Sequence, residues 1–105
     1  MAGYALKLHR TAEKSLRDLV RANRKMAQKI ADEVKRFADN PIPTDAVHLD
    51  QNIYRIRVGD YRIIYAVFEA ERVAFIGKIA RRNEDTYKDI PLTLKRALAY
   101  LEGEE

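Results

Sequence analysis

A Gly-Asp dipeptide at positions 59–60 separates two runs that alternate apolar and charged residues, in the stretch YRIRVGDYRIIY. Alternation at period two predicts β-strands with one buried face, and a two-residue loop between such runs predicts a hairpin. Glycine at the first loop position favours a type II′ turn, which fixes the register of the two strands. That register places Ile56 opposite Ile63, so the apolar residues of both strands share one face. The hairpin therefore predicts an antiparallel sheet with one face packed on a core.

The same register places arginines together on the other face of the hairpin. Arg57 lies opposite Arg62, and Arg55 lies on the same side. Like charges directly opposite each other destabilise a strand pair, and the nearest acids, Asp60 in the turn and Glu69 at the far end of the strand, do not separate them. Because guanidinium groups match phosphate geometry, this face predicts an anion site such as one for a nucleic-acid backbone. A solvated outer face of a half-buried sheet is the alternative interpretation.

The rest of the chain predicts the order strand, helix, helix, three strands, helix. The segments are a strand over 4–9, a helix capped by Thr11 and broken near Asn23, a second helix ending at Pro41, a polar connection over 44–52, strands over 53–58, 61–68 and 73–81, and a helix opened by Pro91. This order predicts an α+β fold. It has an N-terminal edge strand, an antiparallel helical hairpin, a three-stranded antiparallel meander in one mainly antiparallel sheet, and a C-terminal helix, in one domain over 1–105.

The loop between the last two strands decides which cations join the arginine face. A turn centred on positions 70–71 has an even length and places Arg62 opposite Ile79. Arg81 then lies on the arginine face, whereas Lys78 falls on the core face. An odd-length loop would reverse both placements.

The composition limits the classes of function. With 47% hydrophobic and 34% charged residues in 105, the chain fits a globular domain, and no apolar run approaches the ~20 residues of a membrane span. The N-terminus MAGYALKLHR lacks a basic region followed by an apolar one, so we expect no signal peptide, and the absence of cysteine fits a cytoplasmic location. No metal-ligand pattern or glycine-rich phosphate loop is present, so we expect no metal and no small-molecule cofactor. The two histidines, His9 and His48, would suit a nuclease acid–base pair, but nothing in the sequence places them together, and we interpret them as ordinary polar residues.

The segment YRIRVGDYRIIY, followed by a strand that ends in KIARRNEDTY, resembles the RelE/ParE toxin superfamily of type II toxin–antitoxin systems. The resemblance covers nearly the whole chain. In the RelE branch it implies a ribosome-dependent endoribonuclease that cuts mRNA in the decoding site, and in the ParE branch a poison of DNA gyrase. The set of basic positions favours RelE. The resemblance assigns catalysis to Arg57, Arg62, Arg81 and Tyr87, and RNA binding to Arg55, Arg82 and Lys78.

The implied reaction is attack by a ribose 2′-OH on the adjacent phosphate, which breaks the bond to the 5′ oxygen, leaves a 2′,3′-cyclic phosphate and a free 5′-OH, and needs no metal. Arginines suit the stabilisation of the developing charge but cannot act as a base at neutral pH. The best-known nuclease of the family has lysines at the positions of Arg55 and Arg57. The base is therefore left open between Glu84, Asp85 and a group of the ribosome. Arg81 is preferred over the adjacent Arg82 because its spacing to Tyr87 matches the family.

The resemblance also implies partners and two alternative functions. The partners are a cognate antitoxin, the ribosome and its mRNA, and the family's C-terminal helix is a possible regulatory contact for the antitoxin. The alternatives are a ParE-like gyrase poison and a non-catalytic or decayed module with the toxin fold.

Overall fold

Five strands form one sheet in the computed structural model, which describes residues 3–81 and 89–103. The strands are β1 (Ala5–Leu8), β2 (Val47–Asp50), β3 (Ile53–Val58), β4 (Tyr61–Phe68) and β5 (Val73–Arg81), in the spatial order β1-β5-β4-β3-β2. The edge strand β1 runs parallel to β5, and the other pairs are antiparallel. The predicted α+β class, the mainly antiparallel sheet and the edge position of the first strand are confirmed.

Three helices complete the described fold: α1 (Arg10–Ala22), α2 (Arg24–Arg36) and α3 (Asp89–Leu101). Asn23 ends α1 and caps α2, with its side-chain oxygen accepting a hydrogen bond from the backbone N–H of Met26 at 3.2 Å. The predicted break in the helical hairpin is therefore confirmed.

The caps of two helices differ from the prediction. α1 begins at Arg10, before the predicted cap at Thr11. His9 is the cap instead, and its ring accepts a hydrogen bond from the backbone N–H of Thr11. α3 begins at Asp89, so Pro91 lies within its first turn instead of opening it. Proline is tolerated there because first-turn N–H groups have no partner inside the helix.

Strand β2 lies where the sequence predicts only a polar connection. It pairs with β3 through Val47 opposite Arg55 and His48 opposite Tyr54. Because β2 is an edge strand, its side chains stay largely in solvent, and Val47 is 41% exposed. Backbone pairing rather than burial forms this strand, so the apolar alternation that reveals other strands is missing. The meander consequently has four antiparallel strands instead of three.

The helical hairpin packs on the apolar face that the β3–β4 register predicts. Gly59 has a φ of 60° at the first turn position, as a type II′ turn requires. α2 approaches this turn closely, since a Cβ on Gly59 would lie 2.5 Å from Cε of Met26. Phe37 stacks on Tyr65 with ring centroids 4.2 Å apart. The buried core on this side comprises Ala12, Leu19, Ala27, Ile30, Val34, Phe37, Ile56, Ile63, Tyr65, Val67, Ala74, Ile76 and Ile79.

Helix α3 covers the opposite face of the sheet and creates a second core. Its Ala97 packs with apolar strand residues that share the arginine face: Ile53, Ile64, Ala66, Val73 and Phe75. The part of this face that α3 covers is therefore not a solvated outer surface, whereas Arg57 near the hairpin turn is exposed. The middle of this face is apolar. Burial of that apolar area under an amphipathic helix lowers the free energy relative to its exposure to water.

A β-bulge at Gly77 changes the register of the last two strands. The predicted register is confirmed next to the turn between β4 and β5, where Phe68 lies opposite Val73. Beyond it Tyr65 lies opposite Ile76, whereas Ile64 lies opposite Lys78, so Gly77 is the extra residue.

The bulge overturns three predicted placements. Arg62 lies opposite Ala80 rather than Ile79, and Lys78 lies on the arginine face beside Ile64. Arg81 lies opposite Tyr61, on the face of the helical hairpin. A loop-length argument cannot reveal this, because the one-residue shift arises inside the strand.

We expect Gly77→Ala to destabilise the fold by about 1–3 kcal/mol, as overpacking does. An added Cβ would lie 2.7 Å from Cγ2 of Thr93 on α3, closer than side chains approach. Urea denaturation measures the change in unfolding free energy. Gly3→Ala is the matched control, since no atom lies within 4 Å of its added Cβ. The second substitution Thr93→Ala should recover part of the loss, and no recovery would contradict the proposed clash.

Candidate nucleic-acid interface

The predicted pair of opposed arginines is present, but the two side chains have different surroundings. Arg57 lies opposite Arg62 across β3 and β4. Arg57 is exposed, whereas Arg62 is only 1% exposed beneath α3. Arg55, on the same strand as Arg57, is half-buried. One pair of neighbouring strands therefore presents one accessible guanidinium and one enclosed guanidinium.

A carboxylate from α3 neutralises the enclosed arginine. Asp89 is the first residue of that helix and is 1% exposed. Its Oδ2 accepts a hydrogen bond from Nη2 of Arg62, and its Oδ1 accepts one from Nζ of Lys78 at 2.5 Å. The positive end of the α3 dipole further favours an acid at this position. Part of the counter-charge that the arginine face requires is therefore internal to the chain.

The sequence prediction missed Asp89 because no local pattern connects it to the hairpin. It lies 27 residues beyond Arg62 along the chain. An acid in the first turn of an apolar helix is a recognisable cap signal. That signal indicates where the helix begins, and it does not indicate which cation the acid contacts.

Lys78 connects this buried ion pair to the surface. Its side chain is 34% exposed while that of Asp89 is 2% exposed. Arg62 and Lys78 both bind this carboxylate, so these three described side chains together carry a formal charge of +1. An anion approaching from solvent can reach the Lys78 ammonium without displacing Arg62 from Asp89.

Arg55 adds a positive charge that has no ion-pair partner among the described residues. Burial lowers the pKa of Arg55, and the charges of Arg57 and Arg62 lower it further. Its Nε atom is buried and has no hydrogen-bond partner among the described residues. We refer to Arg55, Arg57, Arg62 and Lys78 as the cationic face. Mutual repulsion on this surface would decrease if an anion bound there.

The other predicted site residues do not join the cationic face in the described part of the chain. Arg81 is exposed and lies over the Tyr61 ring, with its guanidinium carbon 5.5 Å from the ring centroid. Its predicted place on the arginine face is wrong because of the bulge. Tyr87 and Arg82 lie outside the described residues, as do the candidate bases at positions 84 and 85.

The two histidines lie on opposite edges of the sheet. His9 follows β1 and caps α1, whereas the ring of His48 on β2 donates to the backbone oxygen of Gln51. They therefore do not form an acid–base pair. Within residues 3–81 and 89–103, no group of three or more His, Cys, Asp or Glu residues is placed to hold a metal ion. No described helix has the length and apolar character to cross a membrane.

The fold and the site define a small basic α+β domain whose sheet is packed between a helical hairpin and a terminal helix, with a cationic face beside that helix. The sequence profile of the family described as the ParE toxin of type II toxin–antitoxin systems matches residues 6–86. The chain belongs to the RelE/ParE superfamily of toxins of type II toxin–antitoxin systems.

Individual relatives agree with this assignment. The chain is 31% identical over 91 residues to the candidate toxin RelE1 of Methanocaldococcus jannaschii, covering 82% of this chain and 97% of that protein. The RelE–RelB complex of Pyrococcus horikoshii superposes with a TM-score of 0.70 at 27% identity, covering 80% of this chain and 99% of that one. The isolated RelE toxin of E. coli shares the fold, with a TM-score of 0.65 at 18% identity and coverage of 90% and 98%.

Proposed function

We propose that this toxin is a RelE-like, ribosome-dependent endoribonuclease that cleaves mRNA in the decoding site through attack by a ribose 2′-OH. The observation that carries this proposal is the cationic face, in which four basic side chains lie on neighbouring strands and Arg57 is accessible. A phosphate that gains negative charge in the transition state is stabilised by preorganised cations. Similarity to RelE-type proteins over most of the chain supports this branch of the superfamily.

The geometry supports different roles for the four cations. Arg57 presents its guanidinium to solvent and is the group best placed to bind the reacting phosphate. Lys78 supplies a second contact, and Arg55 positions the RNA backbone. Arg62 is enclosed and is held in place by Asp89, so its positive charge acts on the phosphate without direct contact.

Arg81, Tyr87 and Arg82 remain proposed site residues on the strength of the resemblance alone. In the proposed reaction Tyr87 stacks on a base or exchanges a proton, and Arg81 or Arg82 supplies the distal cation.

The proposed partners follow from the family and the charge of the site. The similar structures from P. horikoshii and E. coli include RelE–RelB complexes. We propose that a cognate antitoxin neutralises this toxin in the cytoplasm, with acidic residues that compete with RNA for the cationic face. The ribosome presents the mRNA, and no cofactor takes part in the proposed reaction.

Induction of the toxin followed by mapping of mRNA 5′ ends tests the proposed reaction. We expect new ends at a fixed position within codons, only in translated regions, because the ribosome sets the position of the scissile phosphate. An mRNA whose start codon is removed is the control and should stay intact. Cleavage of the untranslated control to the same extent would contradict ribosome dependence, and growth arrest without new ends would contradict the nuclease assignment.

A ParE-like gyrase poison is the second candidate. It is favoured by the match to the ParE profile over residues 6–86 and by the enclosure of Arg62, which removes one guanidinium from direct contact with a substrate. This function predicts DNA breaks and an SOS response on induction, with mRNA left intact. A module without catalysis predicts neither response and no growth arrest.

A further inference from the structure

A cavity of about 570 Å³ lies between the start of α1 and the outer side of α3. It is separate from the cationic face, and none of the described residues that line it is acidic. The lining combines three cationic side chains with an imidazole and apolar groups, and it includes His9, Arg10, Leu92, Lys95, Arg96 and Ala99. Such a lining favours an anion that also contacts apolar surface.

Arg96 is held in place at this cavity. Its Nη1 donates a hydrogen bond to the backbone oxygen of Gly77 at 2.7 Å, which fixes the guanidinium between α3 and the bulge. Burial lowers the pKa of Arg96 and the charge of Arg10 lowers it further, whereas Asp89 acts in the opposite direction. The Asp89 carboxylate is already bound to Arg62 and Lys78. Arg96 and Arg10 therefore repel each other across a cavity whose described lining has no acid.

Arg10 occupies a position where a positive charge is unfavourable. It is the first residue of α1, and the positive end of the helix dipole disfavours a cation there. Its side chain is exposed, so it contributes little to the core. Three effects thus converge on one cavity: a cation at a helix N-terminus, repulsion between two arginines, and the absence of an acid from the described lining. An anion bound in the cavity would relieve all three.

We propose that this cavity binds a phosphate of a single-stranded RNA backbone, as a second anion subsite beside the cationic face. Arg96 lies seven residues beyond Asp89 on the same helix, about 10 Å along its axis. A strand with regularly repeated phosphates can contact the cationic face and the cavity together, whereas one acidic side chain of a protein would reach only one of them. This inference rests on the proposed function, since it takes RNA as the ligand.

The subsite is tested by the binding of a short 2′-O-methyl oligouridine to the full chain. Fluorescence anisotropy measures this binding over a range of salt concentrations. This probe lacks the attacking 2′-OH and stays intact. The variant is Arg10→Ser with Lys95→Ser, both exposed in the wild type. We expect roughly tenfold weaker binding of the probe by this variant. The slope of log K against the logarithm of the salt concentration should become shallower by about 0.7 for each phosphate that the variant no longer neutralises. The melting temperature should stay equal or rise, because a cation leaves the N-terminus of α1.

The control variant removes the same charge elsewhere, with Arg21→Ser and Lys25→Ser at the exposed far end of the helical hairpin. We expect its RNA affinity to stay within about twofold of wild type. Equal losses in both variants would overturn the subsite, because net charge alone would explain them. Loss of antitoxin binding with RNA binding unchanged would overturn RNA as the ligand.

Failure of the proposed function has a different signature. If induction leaves mRNA intact but the oligouridine still distinguishes the two double variants, the subsite holds and the nuclease assignment fails. Inorganic phosphate gives an independent readout, with expected NMR shifts at the Thr11 and Arg96 amides in the wild type and none in the cavity variant. Absence of these shifts in the wild type would overturn the phosphate site.

Discussion

Asp89→Ala is expected to lower the free energy of unfolding by about 3–5 kcal/mol, which is the usual cost of removing one partner from a buried ion pair. The substitution would leave Arg62 charged and enclosed, with an exposed fraction of 1% and without the carboxylate that α3 supplies to it. It would also release Lys78 from the first turn of the helix. Urea denaturation monitored by circular dichroism measures this loss. We expect α3 to detach before the rest of the fold, since Asp89 fixes its first turn to the sheet.

A surface acid provides the matched control for this experiment. Asp18 pairs with Lys14 on the exposed side of α1, and Asp18→Ala should leave stability nearly unchanged because exposed ion pairs contribute little. The double variant Arg62→Met with Asp89→Ala should be more stable than Asp89→Ala alone, because it removes the buried positive charge. If the stability loss of the double variant equals the sum of the losses in Arg62→Met and Asp89→Ala, the two side chains are not coupled. The ion pair would then not be the source of the loss in Asp89→Ala.

The sequence predicts the β3–β4 hairpin well because its determinants are local. A Gly-Asp loop and period-two alternation suffice to place Arg57 opposite Arg62, as the structure confirms. The sequence fails where the determinants are distant. The carboxylate that binds Arg62 comes from Asp89, and only the docking of α3 brings them together. The three arginines of the cationic face were therefore predictable as a cluster, while the place of Lys78 beside them and the contact with Asp89 were not.

Two other differences have the same physical origin. The bulge at Gly77 moves Lys78 to the cationic face and Arg81 away from it, and a glycine in a strand is the only local signal of such a shift. Strand β2 is held by pairing with β3 and leaves Val47 exposed, so its residues carry no apolar pattern. Sequence patterns report burial, and they miss structure that forms without burial or that changes register within a buried strand.

Arg57→Ala is expected to reduce the rate of ribosome-dependent mRNA cleavage by about 10²–10³-fold, the effect of removing one preorganised donor from a developing oxyanion. The physical reason is that Arg57 is the accessible guanidinium of the cationic face, while Arg62 is held by Asp89. Because Arg57 is exposed, its loss should leave the melting temperature almost unchanged. Primer extension on mRNA in a purified translation system measures the rate.

Two further variants determine whether the effect belongs to this site. Arg57→Lys should retain much of the activity, because an ammonium still places positive charge near the phosphate although it loses the planar fork. Arg21→Ala removes an exposed arginine of α1 from a different surface and should leave the rate unchanged. Lys78→Ala added to Arg57→Ala should remove the remaining activity, since the solvent-accessible ammonium of the Asp89 cluster is then gone. Full cleavage by Arg57→Ala would show that the cationic face does not carry the reaction, and would move the search to residues 82–88.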